Sequence, residues 1–338
     1  MRVSWKRVGA CFVCTAILIC LLGILLTLHL TLLPVRTPGE TVRIHIHPGQ
    51  SLASIASLLK DKDVIDRPHL FQLLARVWGL SSRLQAGEFE LNTGSSRLQI
   101  LRTLATGSHV LYSLRIPEGL TWWQTAKVAA QSGLTSFEAF KKAVHDPKLL
   151  QEFHIPAESA EGYLFPETYR LPRPEADRAE PIVRLMLREF YKQAKASLWP
   201  QGLPDPRQIH RLVILGSLVE KETALPRERT TVAGVFTNRL QRGMRLQCDP
   251  TVIYGLGPEF DGNLTKKQLQ DAGNAYNTYT HAGLPPGPIC SPGLASLQAA
   301  KDPADHNYLY FVSQGDGSHY FSRSLQEHNR AVRRYQLQ

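Results

Sequence analysis

The first apolar stretch of the chain covers residues 8–33 and contains no charged side chain. About 20 apolar residues in a helix, each rising about 1.5 Å, span the hydrocarbon core of a bilayer. The stretch ends at Leu32, Leu33 and Pro34, without the small-residue site typical of a cleaved signal peptide. The pattern therefore predicts an uncleaved transmembrane signal anchor over residues 8–33.

The charges around this stretch predict its orientation. Three basic side chains precede it, whereas only Arg36 follows closely. Because positive charge is retained on the cytoplasmic side, we expect residues 1–7 to form a cytoplasmic tail. Residues 34–40 are then a linker on the far side of the membrane, and everything after them lies on that side.

Beyond the linker, the spacing of apolar residues switches between the periods of strands and helices. Residues 41–47 alternate and predict a strand, Pro48 and Gly49 predict a turn, and Ser51 caps a predicted helix. A further strand is predicted over residues 87–91, and helices over 68–80, 98–105, 136–144, 181–197 and 208–223. The predicted fold class is α+β.

The succession of strand, glycine turn and capped helix occurs twice. Gly49 and Ser51 of the first copy correspond to Gly119 and Thr121 of the second. This succession resembles the opening of LysM-like modules, small domains that bind glycans containing N-acetylglucosamine. It is also a common fold fragment, so glycan binding stays one of two interpretations.

The predicted helix over residues 208–223 has an apolar face and ends in Glu220, Lys221 and Glu222. Since successive helix residues lie about 100° apart, Glu220 borders the apolar face and Glu222 points about 200° away from Glu220. Partial burial and the negative end of a helix both raise the pKa of a carboxyl group, which suits a general acid. The alternative is an ordinary solvated helix end.

The loops after this helix are rich in Asn, Gln, Tyr, Thr and His and are separated by Pro and Gly turns. Such side chains suit a hydroxyl-rich ligand, because they donate and accept hydrogen bonds and their rings cover sugar faces. Each also has an ordinary interpretation as a helix cap, a core residue or a loop residue. The candidates for ligand contacts are Gln247, Asp249, Asn277, Tyr279 and His319.

Composition narrows the classes of protein and of ligand. The chain has 338 residues, 43% of them hydrophobic, and a formal charge of +10. Its mean hydropathy of −0.19 and its 8% aromatic residues exclude a disordered acidic tail protein and a polytopic membrane protein. After residue 36 there are 35 basic and 29 acidic side chains, spread without a dense basic block. No nucleic-acid-binding motif and no cluster with metal-ligand spacing accompanies them, so neither nucleic acid nor a metal is expected. Cys248 and Cys290 follow the predicted span, and their pairing is left open.

Several motifs occur together in one order. They are Glu-Gly-Tyr-Leu-Phe-Pro from residue 161, Leu-Val-Glu-Lys-Glu-Thr from 218, Asp-Pro-Thr-Val from 249, Tyr-Asn-Thr-Tyr from 276, Gly-Leu-Pro-Pro-Gly-Pro-Ile from 283 and Tyr-Leu-Tyr-Phe-Val from 308. With these motifs the chain resembles the membrane-anchored endolytic murein transglycosylases of the YceG-like family over nearly its whole length. The resemblance implies a LysM-like α/β subdomain over residues 41–115 and a larger α/β catalytic domain over residues 116–338.

The resemblance also implies a reaction. The substrate is the glycan strand of nascent peptidoglycan, cut between N-acetylmuramic acid and N-acetylglucosamine so that a 1,6-anhydro end remains and elongation stops. Glu220 is the catalytic residue that it implies, acting first as acid and then as base, and no cofactor is implied. We expect Glu222 to support the helix end or Lys221. The five loop residues are candidates for contacting the glycan or for stabilising the oxocarbenium-like state, and we expect about half of them to line the cleft.

Partners and location follow from the same resemblance. We expect a single-pass protein of the inner membrane, acting on peptidoglycan beside the synthases that make it. Its catalytic domain is expected in the periplasm, with a Gram-positive wall space as the alternative compartment. Two alternatives remain: a non-enzymatic, membrane-tethered peptidoglycan-binding scaffold, and a hydrolytic muramidase. Cleavage register and oligomeric state are not predicted.

Overall fold

The computed structural model describes residues 15, 17, 18, 21–23, 39–107, 109–174 and 177–337. Of the predicted span over residues 8–33, residues 15, 17, 18 and 21–23 are helical, and the rest lies outside the described residues, as does the predicted tail. Within the described ranges, no helix is both long and apolar enough to cross a membrane.

The chain divides into two compact units. Of the described residues, those up to 112 and residues 170–174 form the first unit, and residues 113–169 and 177–337 form the second. Each unit combines helices with a small antiparallel sheet, which confirms the predicted mixed helix and strand class.

The first unit is built on a two-stranded sheet. Strand β1 (Thr41–Ile46) pairs antiparallel with β2 (Gly87–Asn92), with Thr41 opposite Asn92 and Ile46 opposite Gly87. Helices α1 (Leu52–Asp61) and α2 (Pro68–Val77) lie between these strands in the sequence, and α3 (Arg97–Thr106) follows them. The core is apolar and includes Ile44, Leu59, Phe71, Phe89 and Leu101. The order strand, helix, helix, strand agrees with the predicted elements, while the LysM-like assignment stays a prediction.

The second unit is mostly helical. Strands β3 (Tyr112–Arg115) and β4 (Thr168–Leu171) occur where the chain passes between the units. The helices are α4 (Trp122–Gln131), α5 (Phe137–Val144), α6 (Pro147–Glu152), α7 (Glu180–Gln193), α8 (Pro206–Glu222), α9 (Arg229–Gln241), α10 (Asp249–Leu256), α11 (Lys266–Leu269), α12 (Leu294–Lys301) and α13 (Leu325–Tyr335). A hairpin of β5 (Tyr310–Ser313) and β6 (His319–Ser322) precedes the last helix, with Ser313 opposite His319.

The repeated succession of strand, glycine turn and capped helix is confirmed by the backbone. Gly49 and Gly119 have φ values of 76° and 75°, a left-handed conformation that a side chain disfavours. Ser51 accepts a hydrogen bond from the Ser54 N–H, and Thr121 accepts one from the Gln124 N–H. Both hydroxyls therefore satisfy a main-chain donor at the start of a helix.

Helix α8 runs through the core of the second unit. Its Ile214, Leu218 and Val219 pack with Val232 and Phe236 of α9. Gly216 allows α12 to approach closely, since a Cβ there would lie 3.0 Å from the Leu297 side chain. The carboxyl end of α8 is thus held firmly, and the residues that project from it have defined positions.

Two predicted helices differ in detail from the structure. The helix predicted over residues 208–223 is α8, which starts earlier because Asp205 caps it and Pro206 occupies its first turn. The helix predicted over residues 181–197 is α7, followed by the π-helical turn Ala194–Leu198. The N–H of Trp199 bonds to the Ala194 carbonyl and closes that turn.

Candidate active site

The two carboxylates at the end of α8 face different surroundings. Glu220 is partly exposed, and its Oε2 accepts a hydrogen bond from the Gly293 N–H at 3.0 Å. Next to it, Lys221 Nζ donates to the Gly119 carbonyl at 3.3 Å. These contacts fasten the last turn of α8 to the segments before α4 and before α12.

Glu118 is a second carboxylate beside Glu220. Burial and the charge of Glu220 both raise the pKa of Glu118, while Arg229, whose Nη2 lies 3.9 Å from its Oε2, opposes this shift. A Cβ on Gly293 would lie 2.1 Å from Glu118 Oε1, so glycine is required there for the carboxylate to lie as it does. The sequence does not predict Glu118, because the pattern around it indicates only the repeated strand, glycine turn and capped helix.

Glu222 lies on the wall of a cavity of about 500 Å³ in the second unit. Glu220 is not among the described residues that surround this cavity. Four of the other predicted contact residues share its wall with Glu222. Those four are Gln247, Asp249, Tyr279 and His319.

The environment of Glu222 favours its protonated form. Burial is the main cause that raises its pKa, and the negative charge of Asp249 adds to it. A hydrogen bond from the Cys248 thiol and the nearby His319 and Arg239 act in the opposite direction. Because Glu222 is the last residue of α8, the partial negative charge of the helix end further disfavours its ionised form.

Asp249 and Tyr279 form a bonded pair on the same wall. The Tyr279 hydroxyl donates to Asp249 Oδ1 at 2.5 Å. Burial and this bond raise the pKa of Tyr279, so the phenol keeps its proton and remains a donor. Asp249 is the first residue of α10 and not its cap, since Cys248 occupies the cap position.

Gln247 and Asn277 have different roles in the structure. Gln247 lines the cavity with a left-handed φ of 49°, and its N–H bonds to the Thr278 carbonyl at 3.1 Å. Asn277 is fully buried, and its amide donates to three main-chain carbonyls, the shortest to Asp271 at 2.8 Å. Asn277 therefore holds the loop that carries Tyr279 and does not face the cavity.

His319 reaches the cavity from the start of β6. Its Nδ1 lies 2.7 Å from Glu228 Oε2, and its main-chain N–H donates to Glu228 Oε1 at 3.1 Å. Glu228 is buried, and the Thr223 hydroxyl also reaches Oε2, at 3.4 Å.

Further wall residues were not predicted. Arg239 of α9 donates from Nε to the Leu309 carbonyl at 2.6 Å and lies 5.1 Å above the centre of the Tyr310 ring. His328 of α13 also lines the cavity. One signal for Arg239 exists in the sequence, since this charge lies between the apolar residues Phe236 and Leu240.

The two described cysteines each carry a free thiol, and both are buried. Burial raises the pKa of Cys248 far above its ordinary value, so Cys248 stays protonated and can donate to Glu222. Among the residues that the structure describes, no group of three His, Cys, Asp or Glu side chains is placed to hold a metal ion.

Comparison with known proteins relates the whole arrangement to one family. The model of the YceG-like family matches residues 44–334 of the chain. An endolytic murein transglycosylase of Bacillus subtilis is 33% identical over 313 residues, covering 87% of this chain and 85% of that protein. Another from Streptococcus pneumoniae is 30% identical over 335 residues, covering 89% of this chain and 60% of that longer protein.

A solved structure has the same fold. The 2.6 Å crystal structure of a YceG-like protein from Listeria monocytogenes superposes with a TM-score of 0.57 at 32% identity. The match covers 87% of this chain and 99% of that chain.

Proposed function

The chain belongs to the YceG-like family, and on that premise we propose that it is an endolytic murein transglycosylase in which Glu222 is the general acid. It cuts the glycan strand of peptidoglycan between N-acetylmuramic acid and N-acetylglucosamine. The reaction leaves a 1,6-anhydro end, and cutting inside nascent strands ends their elongation.

One observation carries the choice of Glu222. It is the carboxyl group of α8 that lies on the cavity wall, and its surroundings raise its pKa. A general acid must hold its proton at the working pH and must reach the leaving oxygen. Glu220 instead accepts the Gly293 N–H and borders the Gly119 turn. The implied role of Glu220 as acid and base therefore remains a competing assignment for the same reaction.

A single carboxyl group suffices for the chemistry. Glu222 gives its proton to the glycosidic oxygen as the bond from C1 breaks, and its carboxylate then takes the proton of the muramyl 6-hydroxyl as the oxygen bonds to C1. The acid is regenerated in the same turnover. Because the nucleophile is part of the substrate, it gains a large effective concentration, and no second carboxylate is needed to activate water.

The decisive experiment compares Glu222→Gln with Glu220→Gln. Each full-length variant is incubated with purified peptidoglycan, and new chain ends are identified by mass spectrometry. We expect Glu222→Gln to lose about 10²–10⁴-fold in the rate of forming anhydro ends, the usual share of general acid–base catalysis. Glu220→Gln keeps an oxygen for the Gly293 N–H and should stay within about tenfold of the parent, the effect of one weakened hydrogen bond.

The other outcomes select other functions. A large loss in Glu220→Gln alone would assign the acid to Glu220. New reducing ends in place of anhydro ends would indicate a hydrolytic muramidase. Binding to peptidoglycan without any new ends would indicate a scaffold.

We also propose the setting in which the enzyme acts. The apolar, uncharged residues 8–33 and the basic residues before them support a single inner-membrane span with the catalytic domain in the periplasm. The strand, helix, helix, strand order of the first unit supports a LysM-like contact with glycan. A membrane anchor would keep the catalytic domain beside the peptidoglycan synthases, which supports these enzymes as partners. Recovery of the full chain in a soluble fraction, without detergent, would contradict the anchor.

A further inference from the structure

Glu228 holds His319 through two separate hydrogen bonds. Glu228 Oε2 lies 2.7 Å from Nδ1 of the His319 ring, and Glu228 Oε1 accepts a hydrogen bond from the His319 main-chain N–H at 3.1 Å. Glu228 is 7% exposed and ends the short turn Pro226–Glu228 that leads into α9. Such a buried carboxylate, bonded at both oxygens, fixes the ring in one orientation.

The remaining ring nitrogen of His319 is uncommitted. His319 lines the cavity, and no hydrogen bond joins its Nε2 to any residue that the structure describes. The Phe311 ring packs against the imidazole in a T-shaped arrangement, with 5.4 Å between the ring centres and the planes 85° apart. Since Nδ1 faces Glu228, Nε2 is the nitrogen that is left for a ligand.

The protonation of the neutral ring follows from its partner. A carboxylate only accepts hydrogen bonds, so the nitrogen beside it must carry the proton. The neutral imidazole has one N–H, and Nε2 is then an acceptor. Sugar hydroxyl groups are donors that such an acceptor recognises.

We propose that Glu228 is a positioning residue that holds His319 in the Nδ1–H form, so that Nε2 accepts a hydrogen bond from a hydroxyl group of the glycan in the cavity. This rests on the proposed function for the identity of the ligand. Glu228 acts through His319 and does not touch the substrate.

The substitution Glu228→Gln tests the assignment because its outcome is fixed by geometry. The main-chain N–H of His319 can only donate, so the glutamine oxygen must face it. The glutamine NH₂ group must then face Nδ1, and it can only donate. The ring has to move its proton to Nε2, which converts the nitrogen left for a ligand from an acceptor into a donor while the shape of the Glu228 side chain is kept.

Nitrogen NMR of ¹⁵N-histidine-labelled full chain in detergent, above the pH at which imidazole is protonated, reports this form directly. His319→Asn identifies the signal. We expect the Nδ1–H form in the parent chain and the Nε2–H form in Glu228→Gln. A parent ring with its proton on Nε2, or with protons on both nitrogens, would overturn the proposal.

Ligand binding supplies the second readout, and it does not depend on turnover. In the Glu222→Gln background, we expect Glu228→Gln to weaken binding of soluble, peptide-free glycan strands by about tenfold, the effect of one neutral hydrogen bond. Glu327→Gln alters a carboxylate outside the cavity, which accepts the Arg323 N–H, and should change neither readout. A changed ring form with unchanged affinity would overturn the role in binding. Absence of anhydro ends from the parent chain would instead count against the proposed function and leave the NMR result standing.

Discussion

At the residue scale, the proposed mechanism predicts that the raised pKa of Glu222 sets the high-pH limit of activity. Glu222 acts as an acid only while it is protonated, so kcat should fall as pH rises through that pKa. The Cys248 thiol donates to the carboxylate and lowers the pKa. We expect Cys248→Ala to remove this bond, raise the pKa further and move the alkaline limb of the kcat profile to higher pH.

The matched control for this prediction is Cys248→Ser. Its hydroxyl keeps a donor near Glu222, so the alkaline limb should stay close to that of the parent. Initial rates of anhydro-end formation between about pH 5 and pH 9 measure both variants. A limb that moves to lower pH in Cys248→Ala would contradict the hydrogen bond.

Glu161 links stability to pH at a buried site. It is 3% exposed, and burial raises its pKa from the ordinary 4.5 to about 7, although the N–H groups of Trp122 and Gly162 stabilise its charge. Between these two values the folded chain holds a proton that the unfolded chain releases, so the free energy of unfolding falls as pH rises. At 1.36 kcal/mol per pH unit, this group should remove on the order of 3 kcal/mol in all, most of it by pH 7 and the rest over about one further pH unit.

Glu161→Gln cannot ionise, so this part of the pH dependence should vanish. Urea unfolding of both chains at several pH values between about 4.5 and 8 gives the comparison. The comparison uses the slope of the free energy of unfolding against pH. Its absolute value is not compared, because glutamine leaves one of the two N–H groups without an acceptor and so lowers stability at every pH. Equal slopes in the two chains would refute the assignment.

Part of the site could be predicted from the sequence, and the reason for the rest is physical. Helical geometry correctly indicated that Glu220 and Glu222 leave α8 on different sides. It favoured Glu220 as the buried carboxyl group, whereas Glu222 is the one that lies on the cavity wall and whose pKa burial raises. It could not indicate that His319 and Gln247 approach the side that carries Glu222, since both are distant in sequence and arrive through tertiary packing. The burial that raises the pKa of Glu222 comes from such distant segments, so a local sequence pattern does not predict it.

At the element scale, the turn before Tyr163 is fixed against α8. Gly162 has a φ of 82°, and a Cβ there would lie 2.5 Å from Pro288 and 2.6 Å from Val213 of α8. Gly162→Ala therefore combines left-handed strain of about 1–2 kcal/mol with overpacking of about 1–3 kcal/mol. We expect a loss of about 2–5 kcal/mol in the free energy of unfolding, measured by urea unfolding.

Gly133→Ala is the control that separates the two causes. Gly133 has a similar φ of 71°, but a Cβ there meets nothing within 4 Å. It should cost only the left-handed strain, about 1–2 kcal/mol. Equal losses at the two positions would show that the contact between this turn and α8 contributes nothing.

Most elements were predictable because their signals are local. Ser51 and Thr121 are residue types that cap helices, so they indicate where two helices begin. The helical spacing of apolar residues in α8 can be recognised from that segment alone. The end of α7 was not predictable, because the π-helical turn Ala194–Leu198 continues the same apolar pattern as the helix. The π-helical turn differs from the helix only in which main-chain carbonyl each N–H bonds, and almost any sequence can make such a bond.

At the scale of the whole molecule, the charge excess affects binding more than chemistry. Residues after 36 carry 35 basic and 29 acidic side chains, a net charge of +6 without a dense patch. A peptidoglycan strand with its stem peptides carries many carboxylates. We therefore expect an electrostatic attraction between the positively charged chain and the strand, and salt should weaken it. The screening length is about 10 Å at 0.1 M salt and about 3 Å at 1 M salt.

The affinity of the full chain for peptidoglycan should therefore fall steadily as salt is raised over this range, whereas kcat on saturating substrate should change little. Glu222 and His319 lie in a cavity, where screening by ions is weaker than at the exposed surface. Sedimentation of the full chain with insoluble peptidoglycan measures the first quantity, and anhydro-end formation measures the second. Insoluble peptidoglycan whose carboxylates have been converted to amides is the control, since without those negative charges its binding should depend only weakly on salt. Equal salt dependence for the two polymers would mean that the +6 is not what attracts the chain to the wall.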